Sequence, residues 1–164
     1  MSGAPQTTRR HRPRVIVGVA AAVLFAGIQV IPAGKTNPPV TRDLIAATSA
    51  PEAEATLLRG ACYDCHSHET RWPWYASVAP SSWWTARHVR RGRDRLNLSD
   101  WPQDRPWDAR ARLESMAHAL RADSMPPADY RLLHPAAKLT PEQRIRLAAW
   151  LETAADTLKA QRTP

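Results

Sequence analysis

Cys62-Tyr63-Asp64-Cys65-His66 is the stretch around which the rest of this sequence is organised. It contains both cysteines of the chain, and a histidine follows the second cysteine directly. This is the C-x-x-C-H pattern of covalent haem attachment, in which each thiol adds across one haem vinyl group to give a thioether. The spacing predicts two sulfurs about one helical turn apart, with the histidine under the iron as its proximal ligand. We therefore predict one covalent haem c, with Cys62 and Cys65 as its attachment residues and His66 as the iron ligand.

Three other uses of a cysteine pair stay open at this point. A structural zinc site needs four ligands, so Cys62 and Cys65 would need two histidines, and no second Cys or His pair stands at finger-like spacing. A thioredoxin-type redox pair expects a βαβ context, and the sequence shows no strand pattern here. A structural disulfide would suit an oxidising compartment, but a two-residue gap strains it. Haem attachment is preferred because the motif is specific and uses every cysteine.

The positive charge of the chain is concentrated at its beginning. The chain has 164 residues and a formal net charge of +8 at pH 7. Arg9, Arg10, Arg12 and Arg14 precede the rest, and from Ala33 onward 19 basic side chains face 15 acidic ones, which leaves +4. We therefore predict no nucleic-acid partner, because such binders cluster basic charge on the folded domain. With 15 prolines and seven tryptophans, the composition favours a loop-rich domain whose core includes a flat cofactor.

The segment before residue 51 is predicted to direct the chain to a membrane. Residues 1–14 are interpreted as a basic tail on the cytoplasmic side. Val15–Ile31 is apolar except for Gln29 and would be about 26 Å long as a helix, the short end of what spans a bilayer. With the arginines before it, this segment predicts a single-pass anchor in the bacterial inner membrane, or a signal peptide, with the haem domain in the periplasm. Residues 32–50 are predicted to form an extended tether.

Residues 51–161 are predicted to form an all-α, small cytochrome c-like domain with long loops around the haem. Ser49-Ala50-Pro51-Glu52 resembles a capping box that would begin a helix leading into the cysteines. Another helix is predicted over Trp107–Ala122. Its apolar stripe consists of Leu113, Met116, Ala117 and Leu120. Thr140-Pro141-Glu142-Gln143 predicts the start of the last helix, with an N-cap threonine, proline at the first helical position and glutamine at the third.

Met125 is the candidate for the second axial ligand of the iron. It is followed by Pro126 and Pro127, which stiffen the loop so that the sulfur is presented at little entropic cost. Thioether ligation favours reduced iron and raises the potential relative to two histidines. The alternatives are a methionine that only packs in the loop, and His134 or His88 as the sixth ligand.

Two further features concern the surroundings of the haem. Gly60, just before the motif, is expected to allow a close approach of backbone or haem. Arg87 and Arg90–Arg95 form a basic run that is interpreted chiefly as a solvated helix face. A sharper hypothesis pairs one or two of these arginines with the haem propionates.

Several stretches together carry a resemblance to a known family. They are Asn37–Pro39, Cys62–Ser67, Glu69–Tyr75, Ala79-Pro80, Ser82-Trp83, Leu96-Asn97, Met125–Tyr130 and His134–Thr140. In this order they resemble the bacterial haem-binding domain family of small, often membrane-anchored proteins, and more distantly a class I-type cytochrome c. The resemblance runs from about Gln29 to Trp150. It implies a single covalent haem c on Cys62, Cys65 and His66, without implying a particular reaction.

His68 departs from that family, in which this position is usually asparagine. A histidine there would place a competing ligand or a protonatable group near the haem. We expect instead that it is a substitution facing solvent.

Electron transfer is the function that this pattern favours. Iron held by His66 and Met125 would be six-coordinate and would exchange single electrons with redox partner proteins at the membrane, so we expect a carrier rather than an enzyme. The alternative is a haem-based sensor, a small-ligand binder or a peroxidase-like protein with an open sixth site. A third class is a module without haem, in which the cysteine pair holds zinc or a disulfide.

Overall fold

The computed structural model describes residues 12–102 and 105–160, and within these ranges the protein is helical without a β-strand. The helices are α1 (Arg12–Ile28), α2 (Leu44–Thr48), α3 (Glu52–Ala61), α4 (Tyr63–His66), α5 (Ser81–Arg95), α6 (Pro106–Arg121), α7 (Ala128–Leu133) and α8 (Pro141–Ala160). Short 3₁₀ helices cover Trp74–Ser77 and Pro135–Ala137. The all-α prediction is confirmed for these residues. Most of the predicted basic tail, together with residue 161, lies outside the described ranges.

The described chain divides into two compact units. The first comprises the chain up to residue 35 together with residues 73–86, and the second comprises residues 36–72 and the chain from residue 87 onward. In the first unit the side chain of Gln29 accepts a hydrogen bond from the Ala79 amide at 2.9 Å, and Trp83 Nε1 donates to the Ile31 carbonyl at 3.3 Å. The segment after α1 is therefore bonded to residues 73–86.

The membrane-spanning anchor predicted at residues 15–31 is not found. Across residues 12–102 and 105–160, no helix combines the length and the apolarity that crossing a membrane requires. α1 ends at Ile28 and a turn follows, where Gln29 Nε2 donates to the Phe25 carbonyl at 2.9 Å. α1 has 17 residues, as many as the predicted span, but it begins and ends three residues earlier in the chain.

The core of the second unit is built chiefly by α6 packing against α8. The fully buried leucines are Leu44, Leu58, Leu98, Leu113, Leu147 and Leu151. The stripe predicted for α6 is buried along its whole length, which confirms the period-3.6 pattern. At the surface, Arg121 of α6 forms a bidentate ion pair with Glu152 of α8, with N–O distances of 2.8 and 2.7 Å.

One predicted helix start is confirmed and the other is wrong. Thr140 and Gln143 form the reciprocal capping box, since the Thr140 amide donates to Gln143 Oε1 at 2.8 Å and the Gln143 amide donates to Thr140 Oγ1 at 3.2 Å. Ser49 does not cap α3. It adopts a left-handed conformation with φ 49° and ends α2, while α3 begins after Pro51 without a side-chain cap.

The segment predicted as a tether is, from residue 36, part of the second unit. α2 begins at an Asp43 cap whose carboxylate accepts from the Ala46 amide at 3.2 Å. Leu44, directly after the cap, is fully buried in the core. The amides of Thr41 and Arg42 both donate to the Ser99 carbonyl at 3.0 Å. Burial of one leucine and these backbone bonds hold a segment whose proline content suggested an extended linker.

Candidate functional site

The cysteine pair lies where α3 passes into α4. Cys62 ends α3, with its amide donating to the Leu58 carbonyl at 2.8 Å. The Cys62 carbonyl then accepts from the amides of Cys65 and His66 at 3.3 and 3.0 Å, so the motif forms one helical turn. Both cysteines are free thiols of intermediate exposure. The chain therefore presents two thiols and an imidazole from a single turn.

His66 is oriented by the end of helix α5. Its Nδ1 lies 3.0 Å from the carbonyl oxygen of Gly92 and 3.1 Å from that of Leu96. Carbonyl oxygens only accept, so Nδ1 carries the proton and Nε2 keeps its lone pair. Metal-bound histidines are commonly fixed in this way, by donation from the second ring nitrogen to a backbone carbonyl. Burial lowers the pKa of the His66 imidazole, which favours the neutral, ligating form.

Gly92 is a functional position that the sequence analysis missed. A Cβ built on it would overlap the carbonyl oxygen of Cys65, so only glycine lets α5 come this close to α4. Its carbonyl is also one of the two acceptors for His66. A glycine inside a helix lowers stability relative to alanine by about 1 kcal/mol and signals a packing reason. A single glycine inside an arginine-rich helix was therefore the one sequence signal of this contact.

Gly60 has the close backbone approach expected of it. A Cβ there would lie 2.8 Å from the carbonyl oxygen of Ala136. The 3₁₀ helix Pro135–Ala137 thus packs directly on α3. This contact places the segment that follows α7 against α3, the helix directly before the cysteine motif.

Asp64, between the two cysteines, is the centre of a hydrogen-bond network. Its carboxylate accepts from the Arg71 amide at 2.9 Å, from the Arg71 guanidinium at 3.3 Å and from the Tyr130 hydroxyl at 2.8 Å. Tyr130 belongs to α7 and its ring stacks on His134 at 3.8 Å between centroids. The motif is therefore bonded to the helix that follows the Met125 loop. Apart from the acidic residue type, no sequence pattern indicates this role of Asp64.

The candidate sixth ligands lie in different settings. Met125 is 39% exposed and stands in the loop between α6 and α7. Asp123 holds that loop by ion pairs to Arg131, at 2.8 Å, and to Arg144. His134 Nδ1 donates to the Tyr130 carbonyl at 2.9 Å, and His88 lies on the exposed side of α5.

His68 does not face solvent freely, contrary to the expectation. Its Nδ1 lies 2.8 Å from the Pro39 carbonyl, so this nitrogen is the donor. Its Nε2 then accepts from Asn97 Nδ2 at 2.9 Å. Both ring nitrogens are engaged, and the side chain joins the segment before α2 to the segment after α5. This excludes His68 as an iron ligand in this arrangement.

Arg93 departs from the solvated face predicted for the basic run. Its guanidinium donates at 2.7–3.0 Å to four oxygens. They belong to Ser67, Thr36, Asn37 and Thr70. Burial lowers the pKa of this guanidinium. Arg93 therefore joins three segments of the second unit. The exposed arginines beside it on α5, Arg91 and Arg95, still face solvent.

The thiols are protonated at neutral pH. Burial raises the pKa of Cys62 to about 12, and the neighbouring Cys65 adds to this shift. Burial likewise raises the pKa of Cys65 to about 11, with the carboxylates of Asp64 and Asp129 contributing. Reactive thiolates have lowered pKa values instead. Among the described residues, no group of three or more His, Cys, Asp or Glu side chains is placed to hold a metal ion. The redox-pair and zinc hypotheses therefore lose support.

A polar cavity of about 550 Å³ lies elsewhere in the second unit. Its walls include Arg42, Arg95, Asn97 and Arg105, and it contains none of the cysteines, His66 or Met125. The cavity is thus separate from the candidate attachment site.

The side chains on α3 and α4 fit a haem group, because two free thiols accompany an imidazole whose Nε2 is available as a ligand. A family model described as the haem-binding domain matches residues 23–153, well over half of the chain. No curated protein and no solved structure was found to match the chain. The family match confirms the resemblance drawn from the sequence. The chain belongs to the haem-binding domain family.

Proposed function

We propose that this protein carries one covalently attached haem c in a small cytochrome c-like domain and transfers single electrons. The observation that carries the proposal is the orientation of His66, whose Nδ1 donates to the carbonyls of Gly92 and Leu96. This leaves Nε2 as a fixed nitrogen ligand within one helical turn of two thiols. A chain that only stored a disulfide would need no such orientation of the imidazole.

Attachment uses the free thiols of Cys62 and Cys65. Each S–H adds across one vinyl group, so that a C–S bond forms and the hydrogen goes to the other vinyl carbon. This addition requires no oxidant. The half-buried thiols are protonated at neutral pH, which keeps them as a dithiol before haem arrives.

Met125 is proposed as the second axial ligand. It is partly exposed, its loop is held by Asp123, and the chain after it is bonded to Asp64 of the motif through Tyr130. Haem, when bound, supplies a one-electron iron couple whose potential rises with methionine ligation. A sixth ligand from the chain also keeps external molecules from the iron, as a carrier requires.

The exposed arginines of α5 supply a surface for partner recognition. Arg87, Arg90, Arg91 and Arg95 are exposed, whereas Arg93 is used inside the unit. Together with the net charge of +4 from Ala33 onward, they favour redox partners with acidic surfaces. Such steering weakens as ionic strength rises.

We further propose that the domain acts in the bacterial periplasm. The arginines before Val15 followed by an apolar segment have the pattern of an export signal. The apolar side chains of α1, among them Val17, Leu24 and Phe25, are exposed. Export would deliver the chain to the compartment in which bacteria attach c-type haem.

The deciding experiment is a pyridine haemochrome spectrum of denatured, acid-acetone-washed protein, made in cells with haem-attachment machinery. A surviving c-type spectrum supports thioether bonds to both cysteines. Loss of all colour in the wash would contradict covalent attachment. The variant Cys62→Ser, Cys65→Ser is the control, and it should lose its haem in the wash.

The partial exposure of Met125 also favours a second function, that of a haem-based sensor with a displaceable ligand. Carbon monoxide separates the two. Slow or absent binding to the reduced protein at neutral pH supports the electron carrier, whereas rapid binding supports the sensor.

A further inference from the structure

Two of the interactions that hold the Met125 loop and the helix after it differ in what they reach. Asp123 pairs with Arg131 of α7 and Arg144 of α8, which fixes the loop to its own neighbours. Tyr130 donates its hydroxyl to Asp64 at 2.8 Å, which fixes α7 to the turn that carries the cysteines. The second interaction therefore links the segment after Met125 to the turn that carries His66.

The Asp64 carboxylate, which accepts the hydrogen bond from Tyr130, is itself held by other hydrogen bonds. Asp64 accepts from the backbone amide of Arg71 at 2.9 Å and from its guanidinium at 3.3 Å. The carboxylate thus meets the Tyr130 hydroxyl with its orientation already set. A hydrogen bond to a charged acceptor is stronger than one between neutral groups.

The side chain of Tyr130, which donates this hydrogen bond, is also restricted in its movement. The Tyr130 ring lies 3.8 Å from the His134 ring with an interplanar angle of 10°, and His134 is bonded back to the Tyr130 carbonyl at 2.9 Å. The first turn of α7, together with Pro126 and Pro127, separates this ring from Met125. A short, proline-stiffened connection transmits the position of Tyr130 to the methionine.

We propose that Tyr130, through its hydrogen bond to Asp64, is the positioning residue that holds Met125 at the iron and sets how readily external ligands displace it. This inference rests on the proposed His66–Met125 ligation. It adds that the strength of the bond between Met125 and the iron depends on Asp64, the residue of α4 that stands between the two cysteines.

The test compares carbon monoxide binding, the reduction potential and the methionine–iron charge-transfer absorption in wild type, Tyr130→Phe and Met125→Ala. Tyr130→Phe removes one hydroxyl and should accelerate carbon monoxide binding on the order of tenfold, with a lower potential and weaker absorption. In the Met125→Ala background, Tyr130→Phe should add nothing, because the two changes act through the same bond.

Tyr63→Phe is the matched control. Its hydroxyl lies in the same motif but donates to Asp43 at 2.6 Å, away from the methionine loop. Equal acceleration in Tyr63→Phe would overturn the proposal, since general loosening would then explain the effect. An unchanged Tyr130→Phe protein, or an additive effect in the Met125→Ala background, would also overturn it. A wild type without c-type haem overturns the underlying function as well, and the haemochrome spectrum distinguishes that result.

Discussion

His66 Nδ1 lies 3.0 Å from the carbonyl oxygen of Gly92, and any side chain on Gly92 would overlap the carbonyl of Cys65. One glycine thus does two things. It supplies an acceptor that fixes the imidazole, and it lets α5 approach the turn that carries the thiols. The geometry of the candidate haem site therefore depends on a residue far from the C-x-x-C-H motif in sequence.

The first prediction concerns this contact. Gly92→Ala should destabilise the second unit by about 1–3 kcal/mol, because the added methyl group forces α5 away from α4. Thermal melting and haem content of the purified protein measure the effect. Arg91→Ala, an exposed neighbour on the same helix, is the control and should behave like wild type. Wild-type melting in Gly92→Ala would contradict the close contact.

The second prediction concerns the proximal ligand. His66→Ala should impair haem maturation or destabilise the domain, because it removes the proposed iron ligand and with it the stabilisation that a bound haem provides. Haem content and thermal melting report the two effects. His118→Ala, which alters an exposed histidine of α6, should leave both unchanged. A His66→Ala protein that matures and melts like the parent would refute this prediction.

The third prediction distinguishes Met125, the proposed iron ligand, from Met116, a methionine of the core. Met125→Ala should keep the haem attached, open the sixth site and lower the reduction potential. Met116, only 7% exposed on α6, is the contrast. Met116→Ala should lose about 2–5 kcal/mol of stability through a core cavity while its spectrum stays that of wild type. An unchanged spectrum in Met125→Ala would assign the sixth position to another residue.

The fourth prediction tests the role of His68. His68→Ala removes the bonds to the Pro39 carbonyl and to Asn97 and should cost about 1 kcal/mol. The segment before α2 should then open more often, so trypsin should cleave after Arg42 faster than in wild type. Cleavage at the wild-type rate would show that the burial of Leu44 and the backbone bonds to Ser99 hold this segment without His68.

The fifth prediction is a pH dependence away from the haem site. The Arg121 guanidinium lowers the pKa of Glu152, so the stability contributed by this pair is present above the usual pKa of about 4.3. It is lost as the pH falls through the lower, folded-state value. Thermal melting should place Glu152→Gln below wild type at pH 7, with the difference vanishing in acid. A difference that persists in strong acid would attribute the effect to something other than charge.

Much of the fold was predictable because its signals are local. The Thr140 capping box and the apolar stripe of α6 require only short-range spacing, and both are confirmed. The Ser49 cap failed because α2, which the sequence analysis did not predict, ends at Ser49, and a short capping pattern carries no information about a preceding helix. The predicted bounds of the apolar N-terminal helix are displaced by three residues, since α1 ends at Ile28 and the side chain of Gln29 donates back to the Phe25 carbonyl.

The sequence by itself determined the candidate attachment residues, since two thiols and an imidazole at fixed spacing are a property of the chain. It also determined the family, because the motifs that identify the family can be recognised in the sequence without knowledge of the packing. Only the tertiary structure decided which nitrogen of His66 is available, what Asp64 and Gly92 do, and that Arg93 and His68 are engaged within the unit. These facts depend on which distant backbone carbonyls and carboxylates lie within hydrogen-bond distance, and no local spacing rule encodes that.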